Sequence, residues 1–356
     1  MTASKPPRMR STARNRALAT MLLLASSVAP CLADEVLLTP GSTLKGSSGG
    51  RVRGQVQSEG PTEIVVQLGN STTTVPTDQI ATIRYDGQPA TLQLAESREN
   101  GGQLAEAAEL YRKAAAEAAD RPFVAQSALY HEAAALADLA SIEPDRLKDA
   151  KDRLTRFVQK YPSSRHIIPA REDLARIQLA SGDHAGAEAN VAELAKIPKA
   201  SEKAGVLHAR VLSNEGKDDE AISELDRILA SAADHPITQR EARLAKAEAL
   251  VNRKKYSDAE TIVRQVIAAN GAEDVAAQSA AYNILGDCLR EANRPKDALI
   301  AYLHTDLLYA KDKQEHPRAL YQIAKLFRVL KQDGKADEYS QRLRQEYPRS
   351  PWLSAK

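Results

Sequence analysis

The 356-residue sequence predicts a mainly α protein, an α-solenoid of stacked helical hairpins preceded by a small β-barrel. Three observations predict it. Strand-like alternation of β-branched residues fills residues 34–90 and then stops. A 3.6-residue apolar period follows, from residue 91 to residue 354. Within that period alanines recur at a nearly constant interval. Aromatic residues make up only 4% of the chain, so buried area must come from Ala, Leu, Ile and Val, which suits closely stacked helices.

The first element is read as a leader. Lys5, Arg8, Arg10, Arg14 and Arg16 form a basic region without an acid, and an apolar stretch from Ala17 to Ala29 follows. Cys31-Leu32-Ala33 ends it, with small residues where a signal peptidase reads, so residues 1–33 are expected to be a signal peptide cut between Ala33 and Asp34. The mature protein is then periplasmic or secreted. The stretch is short for a membrane span. An uncleaved anchor and a lipid on Cys31 are the alternatives, and Pro30 argues against the lipid. Membrane tethering follows only if the segment is retained or lipidated.

Without the five leader cations, 44 basic residues stand against 47 acidic ones, a net charge of −3, which points away from nucleic acid and anionic membranes as partners. Cleavage also leaves Cys288 as the one cysteine, so stability must come from packing. Its helical setting, Leu285-Gly286-Asp287-Cys288-Leu289, reads as that of a small structural residue rather than a reactive thiol.

Residues 34–90 hold five short segments with period two, at 35–38, 51–56, 63–68, 72–75 and 79–84, separated by turn residues such as Pro40-Gly41, Gly60-Pro61 and Gly69-Asn70. So few residues bury little alone, and closing the sheet satisfies its edges; an SH3-like or Sm-like barrel is expected. The stretch resembles a small domain at the start of some exported bacterial repeat proteins, through Pro40-Gly41, Gly54-Gln55-Val56, Val75-Pro76 to Ile80, and Tyr85-Asp86-Gly87. The resemblance implies no chemistry. Docking a partner or a wall polymer and capping the array are the two readings.

From residue 91 to 354, helical segments alternate with short Gly, Asn, Asp or Pro loops. Small residues recur with a larger one four places on: Ala107 with Tyr111, Ala150 with Leu154, Ala187 with Val191, Ala221 with Leu225, Ala259 with Val263, Ala298 with Tyr302, and Ala336 with Ser340. The alanines are 43, 37, 34, 38, 39 and 38 residues apart. Where the second helix of a hairpin crosses the first, only Ala or Gly lets the backbones approach, and the residue a turn later fills the groove beside it. Leu285-Gly286, Leu94-Ala95, Leu174-Ala175 and Ile323-Ala324 supply matching small residues on first helices. Tyr161-Pro162-Ser163-Ser164 and Tyr347-Pro348-Arg349-Ser350 end helices with Pro and place Ser to cap the next helix.

With this pattern the stretch resembles the tetratricopeptide repeat family over about three quarters of the chain, and the Tyr-Pro-x-Ser endings are similar to its exported bacterial cell-envelope branch. The resemblance implies a right-handed superhelix of about seven hairpins, a scaffold for protein–protein interaction, and no cofactor. Two features depart from the family: its Trp in the first helix is absent, and a long loop is expected at Ser141 to Asp145.

Enzyme signatures are not completed. Gly46-Ser47-Ser48-Gly49-Gly50 matches G-x-S-x-G, but a strand follows it where a helix is required. Gly41 to Gly46 has phosphate-loop spacing, with Ser47 in place of the required Lys. The seven histidines form no metal-binding spacing. No catalytic, cofactor or metal residue is therefore assigned, and no small-molecule substrate is expected.

The family's peptide-holding groove lies along successive first helices. In the last two hairpins it is expected to present Asn283, Asp287, Arg290, Arg318, Tyr321, Lys325 and Arg328, a locally basic surface suited to an acidic peptide or a carboxylate terminus. The family's carboxylate clamp is not reproduced, since Ile284 stands at one of its Asn positions. Ordinary solvent-facing charges are the plainer reading of these seven. Changing Arg318, Lys325 and Arg328 to Glu is expected to weaken partner capture without unfolding the chain.

The function expected is thus an exported, non-enzymatic scaffold of the periplasm or cell envelope that binds a protein or peptide. A cell-wall or polysaccharide-binding protein acting through the β module, and an enzyme with an unrecognised site, are the alternatives.

Overall fold

Alternation in the β segment puts Val36, Leu38, Val52, Val56, Ile64, Val66, Val75 and Ile83 on one buried face. In the computed structural model these residues lie on β1 (Asp34–Leu38), β2 (Arg51–Glu59), β3 (Glu63–Leu68), β4 (Ser71–Pro76) and β5 (Ile80–Arg84). The structure describes residues 1–2, 33–42, 44, 47–231 and 235–355. Residues 3–32, which hold nearly all of the expected leader, and Gly46 of the G-x-S-x-G match lie outside the described residues. Residues 33–356 form one unit.

The five strands form one antiparallel sheet in the order β4-β3-β2-β1-β5. The first and last strands are neighbours, and β4 and β5 stand at the two edges, so the strand pairing does not close the expected barrel. β2 carries a bend: its first half pairs with β1 and its second half with β3, with a register shift between Val56 and Ser58. Gly54 sits at the bend because a side chain there would run into the Gln67 carbonyl of β3. The Asp34 carboxylate ties the start of β1 to the middle of β2 and to the end of the module, accepting from the backbone N–H groups of Val56 (2.8 Å) and Asp86 (2.9 Å).

Fourteen α-helices follow among the described residues: α1 (Ala90–Asn100), α2 (Leu104–Glu117), α3 (Pro122–Ile142), α4 (Leu147–Lys160), α5 (Ile167–Ala180), α6 (His184–Ala195) and α7 (Ser201–Asn214), then α8 (Asp218–Ser231), α9 (Pro236–Asn252), α10 (Tyr256–Ala269), α11 (Val275–Glu291), α12 (Pro295–Leu308), α13 (His316–Val329) and α14 (Asp333–Glu346). They pair as seven hairpins, and every seam alanine of the second helices, from Ala107 to Ala336, is 0% exposed. The residue a turn later is buried in the first six and is a partly buried Ser340 in the last. The seam is closest where Gly286 of α11 faces the Tyr302 ring of α12.

The sheet has no separate core. Its inward residues share one cluster with Leu92, Ala95, Ala107, Tyr111 and Ala128 of α1, α2 and α3. A polar clamp reinforces the junction: Arg165, after the Tyr161-Pro162-Ser163-Ser164 turn, reaches Glu59 at the end of β2 (3.3 Å), and Tyr85 donates its hydroxyl to the same carboxylate. Ser164 accepts from the His166 N–H at 3.1 Å in the turn before α5, whose N-cap is His166 without a side-chain bond. Ser350 does cap, accepting from the Trp352 N–H to open a 3-10 turn at Pro351–Leu353.

The loop expected at 141–145 is instead the last turn of a 21-residue α3 followed by a 3-10 turn at Pro144–Arg146. Apolar Leu139, Ala140 and Ile142 have a surface to bury, and this keeps the helix going. That surface belongs to the far end of the array. Ile142 packs against Leu320, Leu343 and Tyr347; Gln314 donates to Asp138 (2.8 Å), and Arg349 to Glu143 (2.8 Å). The hairpin with the irregular 43-residue spacing is therefore the one the C-terminal hairpin comes back to meet.

Candidate functional site

Because the second helices take the outer side of each seam, the first helices α5, α7, α9, α11 and α13 are left facing one another across a cavity of about 740 Å³. Helical spacing delivers its lining. On α9, Glu241, Ala245, Glu248 and Asn252 follow one stripe, and on α7 Lys203, Leu207, Arg210 and Asn214 do the same.

The funnel wall is strongly charged and mostly paired. Lys203 meets Glu172 (3.0 Å), and Arg176 bridges Asp173 (2.9 Å) and Asp138 (3.1 Å). Arg318 donates to Asp287 and also meets Glu315 at 3.3 Å. Glu241, Glu248 and Arg210 make no ion pair or hydrogen bond among the described residues, although all three line the cavity. Burial pushes the carboxyls of Glu172, Asp173 and Glu248 above the ordinary range, against the pull of Lys203, Arg176 and the pair Arg210 and Arg318 respectively. Burial would lower the Arg318 guanidinium, but the carboxylates of Asp287, Glu315 and Glu248 outweigh it and raise it.

Of the seven residues expected in the groove, Asp287 and Arg318 line this cavity. Asn283 is 0% exposed and is spent inside the fold: its amide donates to the Glu315 carbonyl (2.9 Å) and carboxylate (2.7 Å), and its oxygen accepts from Thr305 (3.0 Å). Arg290 turns to Glu291 at 2.8 Å. Tyr321 and Lys325 continue the α13 stripe beyond the funnel, where the chain end closes over them: Tyr321 donates to the Ala355 carbonyl (3.2 Å) and packs on Trp352. Lys325 lies over the Tyr321 ring, and exposed Arg328 faces Asp337 at 3.4 Å. The groove is accordingly not basic, since Arg318, its central cation, is shared between two carboxylates.

Sequence reasoning missed Glu172, Asp173, Arg176, Lys203, Arg210, Glu241 and Glu248 of the middle hairpins. A signal for part of the set was present. Asp287 follows the Leu285-Gly286 pair, and Arg176 follows Leu174-Ala175 in the same way.

Elsewhere, Cys288 is buried and its thiol is pushed up to about 12 by burial and by the carboxylates of Asp287 and Glu260, which makes it a packing residue. Among the described residues, no three His, Cys, Asp or Glu side chains gather to hold a metal, and no helix is long and apolar enough to cross a membrane.

Residues 318–350, the hairpin of α13 and α14, match the tetratricopeptide repeat family model. No curated protein matches the chain. Among solved structures, a tetratricopeptide repeat protein from Parabacteroides merdae ATCC 43184 is 14% identical, with a TM-score of 0.47, covering 72% of this chain and 91% of its own. PilW, described as a widely conserved type IV pilus biogenesis factor, is 17% identical at a TM-score of 0.43, over 59% and 90% of the two chains. MamA from Desulfovibrio magneticus RS-1 is 17% identical at 0.36, over 50% and 93%.

Proposed function

We propose that this chain is an exported scaffold of the periplasm or cell envelope that holds a segment of a partner protein in the funnel of its first helices. The observation that carries the binding role is the funnel itself, a cavity of about 740 Å³ walled by the first helices of five successive hairpins, with Glu241, Glu248 and Arg210 on its wall making no ion pair among the described residues. Charged side chains are costly in such a place unless a ligand or solvent meets them. The seams need no such groups, and Glu241, Glu248 and Arg210 make no ion pair or hydrogen bond among the described residues that would join one hairpin to the next.

The role is one of binding rather than catalysis. The funnel carboxylates are either paired with neighbouring cations or, like Glu241 and Glu248, set two helical turns apart, and Ser213 on the wall donates to an Asp218 carboxylate that also accepts from Asn252, a structural link between α7, α8 and α9. Export is supported by the acid-free basic region before the apolar stretch at 17–29. The sheet acts as the cap of the array, because its apolar face is already covered by α1, α2 and α3.

A photo-crosslinking residue at Glu241 in the full-length protein, expressed in its native cell, tests the binding role. Crosslinks to one partner segment are expected, and none from the same probe at exposed Glu338 on the outer helix α14. Crosslinks from Glu338 alone would overturn the funnel as the site. Amino-terminal sequencing of the protein from the periplasmic fraction tests export, with Asp34 as the expected first residue.

A further inference from the structure

The charges inside the funnel do not cancel. Glu172, Asp173, Glu241, Glu248 and Asp287 face Arg176, Lys203, Arg210 and Arg318 on the wall, an excess of one carboxylate over cations. The internal pairs consume Arg176, Lys203 and Arg318 and leave the excess concentrated on α9. There Glu241 and Glu248 stand on one face, two turns or about 10 Å apart along the helix axis. Glu248 is the sharper case. It is partly buried in the funnel wall, reaches the cavity, and has no ion pair or hydrogen bond among the described residues. The charged groups around it are Arg210 on α7, Asp287 on α11, Arg318 on α13 and Glu315 before α13. Asp287 and Glu315 already hold Arg318 and Glu172 holds Lys203, so Arg210 is the one cation lining the cavity that stands near Glu241 and Glu248 without an ion pair among the described residues.

We infer that the partner segment held in the funnel is basic, an extended stretch whose Lys or Arg side chains are received by Glu241 and Glu248. Their spacing matches cations three residues apart on a guest extended as polyproline II, which rises about 3.1 Å per residue and returns to the same face every third residue. The guest's cations supply the pairing that the fold withholds, in a cavity where solvent screens charge less than at an open surface. This inference rests on the reading of the funnel as the partner site and reverses the acidic guest expected from the α13 stripe alone.

The test is fluorescence anisotropy on the full mature protein with a labelled hexapeptide carrying Lys at two positions three apart, its Glu counterpart and its Gln counterpart. The basic peptide is expected to bind at least tenfold tighter than either, and to weaken as salt rises. Glu241→Gln with Glu248→Gln should cost it about tenfold while Glu338→Gln on the outer surface changes nothing. Glu241→Lys with Glu248→Lys should turn the preference towards the Glu peptide. Thermal melts of each variant show that it is folded. Tighter binding of the Glu or Gln peptide, lost in the same variants, would overturn the basic guest and leave the funnel site standing. Binding of the Lys peptide that ignores both α9 substitutions would overturn the funnel site as well. Spermidine binding as tightly as the peptide would make the guest a small polyamine and overturn the peptide.

Discussion

At the seams, seven alanines on seven second helices are all 0% exposed, and the same small-against-large contact repeats from α2 to α14. On the funnel side of the first helices nothing repeats: α5 offers Glu172, Asp173 and Arg176, α7 offers Lys203 and Arg210, and α9 offers Glu241 and Glu248. The geometry that forces Ala or Gly at a helix crossing acts identically in every hairpin. The funnel is free of that constraint, so its residues vary with what they hold. Conformity marks what the fold requires, and irregularity marks what it leaves to function.

The largest effect should come from breaking a seam. Gly286 faces the Tyr302 ring so closely that a Cβ would lie 2.5 Å from it, and the ring is pinned by the bond from its hydroxyl to Asp287 (2.5 Å). Gly286→Val is expected to lower unfolding stability by about 3 kcal/mol, read as the urea midpoint, and Gly286→Ala by less. A Val variant of full stability would show that the seam is looser than its burial implies.

Next comes a charge that belongs to both regions. Arg318 faces the funnel yet holds Asp287 and Glu315 together, so Arg318→Ala should cost about 2 kcal/mol, and Arg318→Glu more, because three carboxylates would then crowd one site. Arg328→Glu, on an exposed side chain, should cost almost nothing. The triple change to Glu, expected from the sequence to be harmless to the fold, therefore tests the fold as well as binding.

A smaller effect is pH-dependent and lies outside the funnel. Burial would raise the Asp306 carboxyl, but hydrogen bonds from His316 (2.9 Å) and Arg342 (2.8 and 3.1 Å) outweigh it and hold it at about 2. Its folded pKa lies below the unfolded value, so the contribution is present above the unfolded pKa and is lost as pH falls through about 2. Stability should fall by on the order of 1–2 kcal/mol between roughly pH 5 and pH 2 in the native protein, and that component should be missing from Asp306→Asn.

The same contrast explains what the sequence made legible. Seven hairpins could be read from Ala107 to Ala336 because one steric rule writes the same letter each time. The strands could be read because burial on one face writes alternation. The length of α3 could not, since Leu139 to Ile142 look like any apolar helix end until the C-terminal hairpin is seen to cover Ile142. Nor could the fate of Asn283, whose partners Glu315 and Thr305 are distant in sequence. The funnel's acidic excess sums residues from five helices, so no window of the sequence contains it; only the neighbours of Leu174-Ala175 and Leu285-Gly286 had a phase that pointed inward.

The smallest effect has the opposite sign. Burial raises the Glu248 carboxyl above its ordinary value, so at neutral pH the charged form is less favourable in the folded chain than in the unfolded one. Its cost is fully present above the folded pKa and fades as pH falls towards the unfolded value. Glu248→Gln should therefore raise stability by a few tenths of a kcal/mol at neutral pH, with the gain disappearing below about pH 4, in urea titrations of the ligand-free protein. A seam residue behaves otherwise, because any replacement of Ala259 or Ala298 by a larger side chain loses stability at every pH. If Glu248→Gln proved destabilising, Glu248 would be holding the hairpins together after all, and the separation between seam and funnel would fail at the residue on which it most depends.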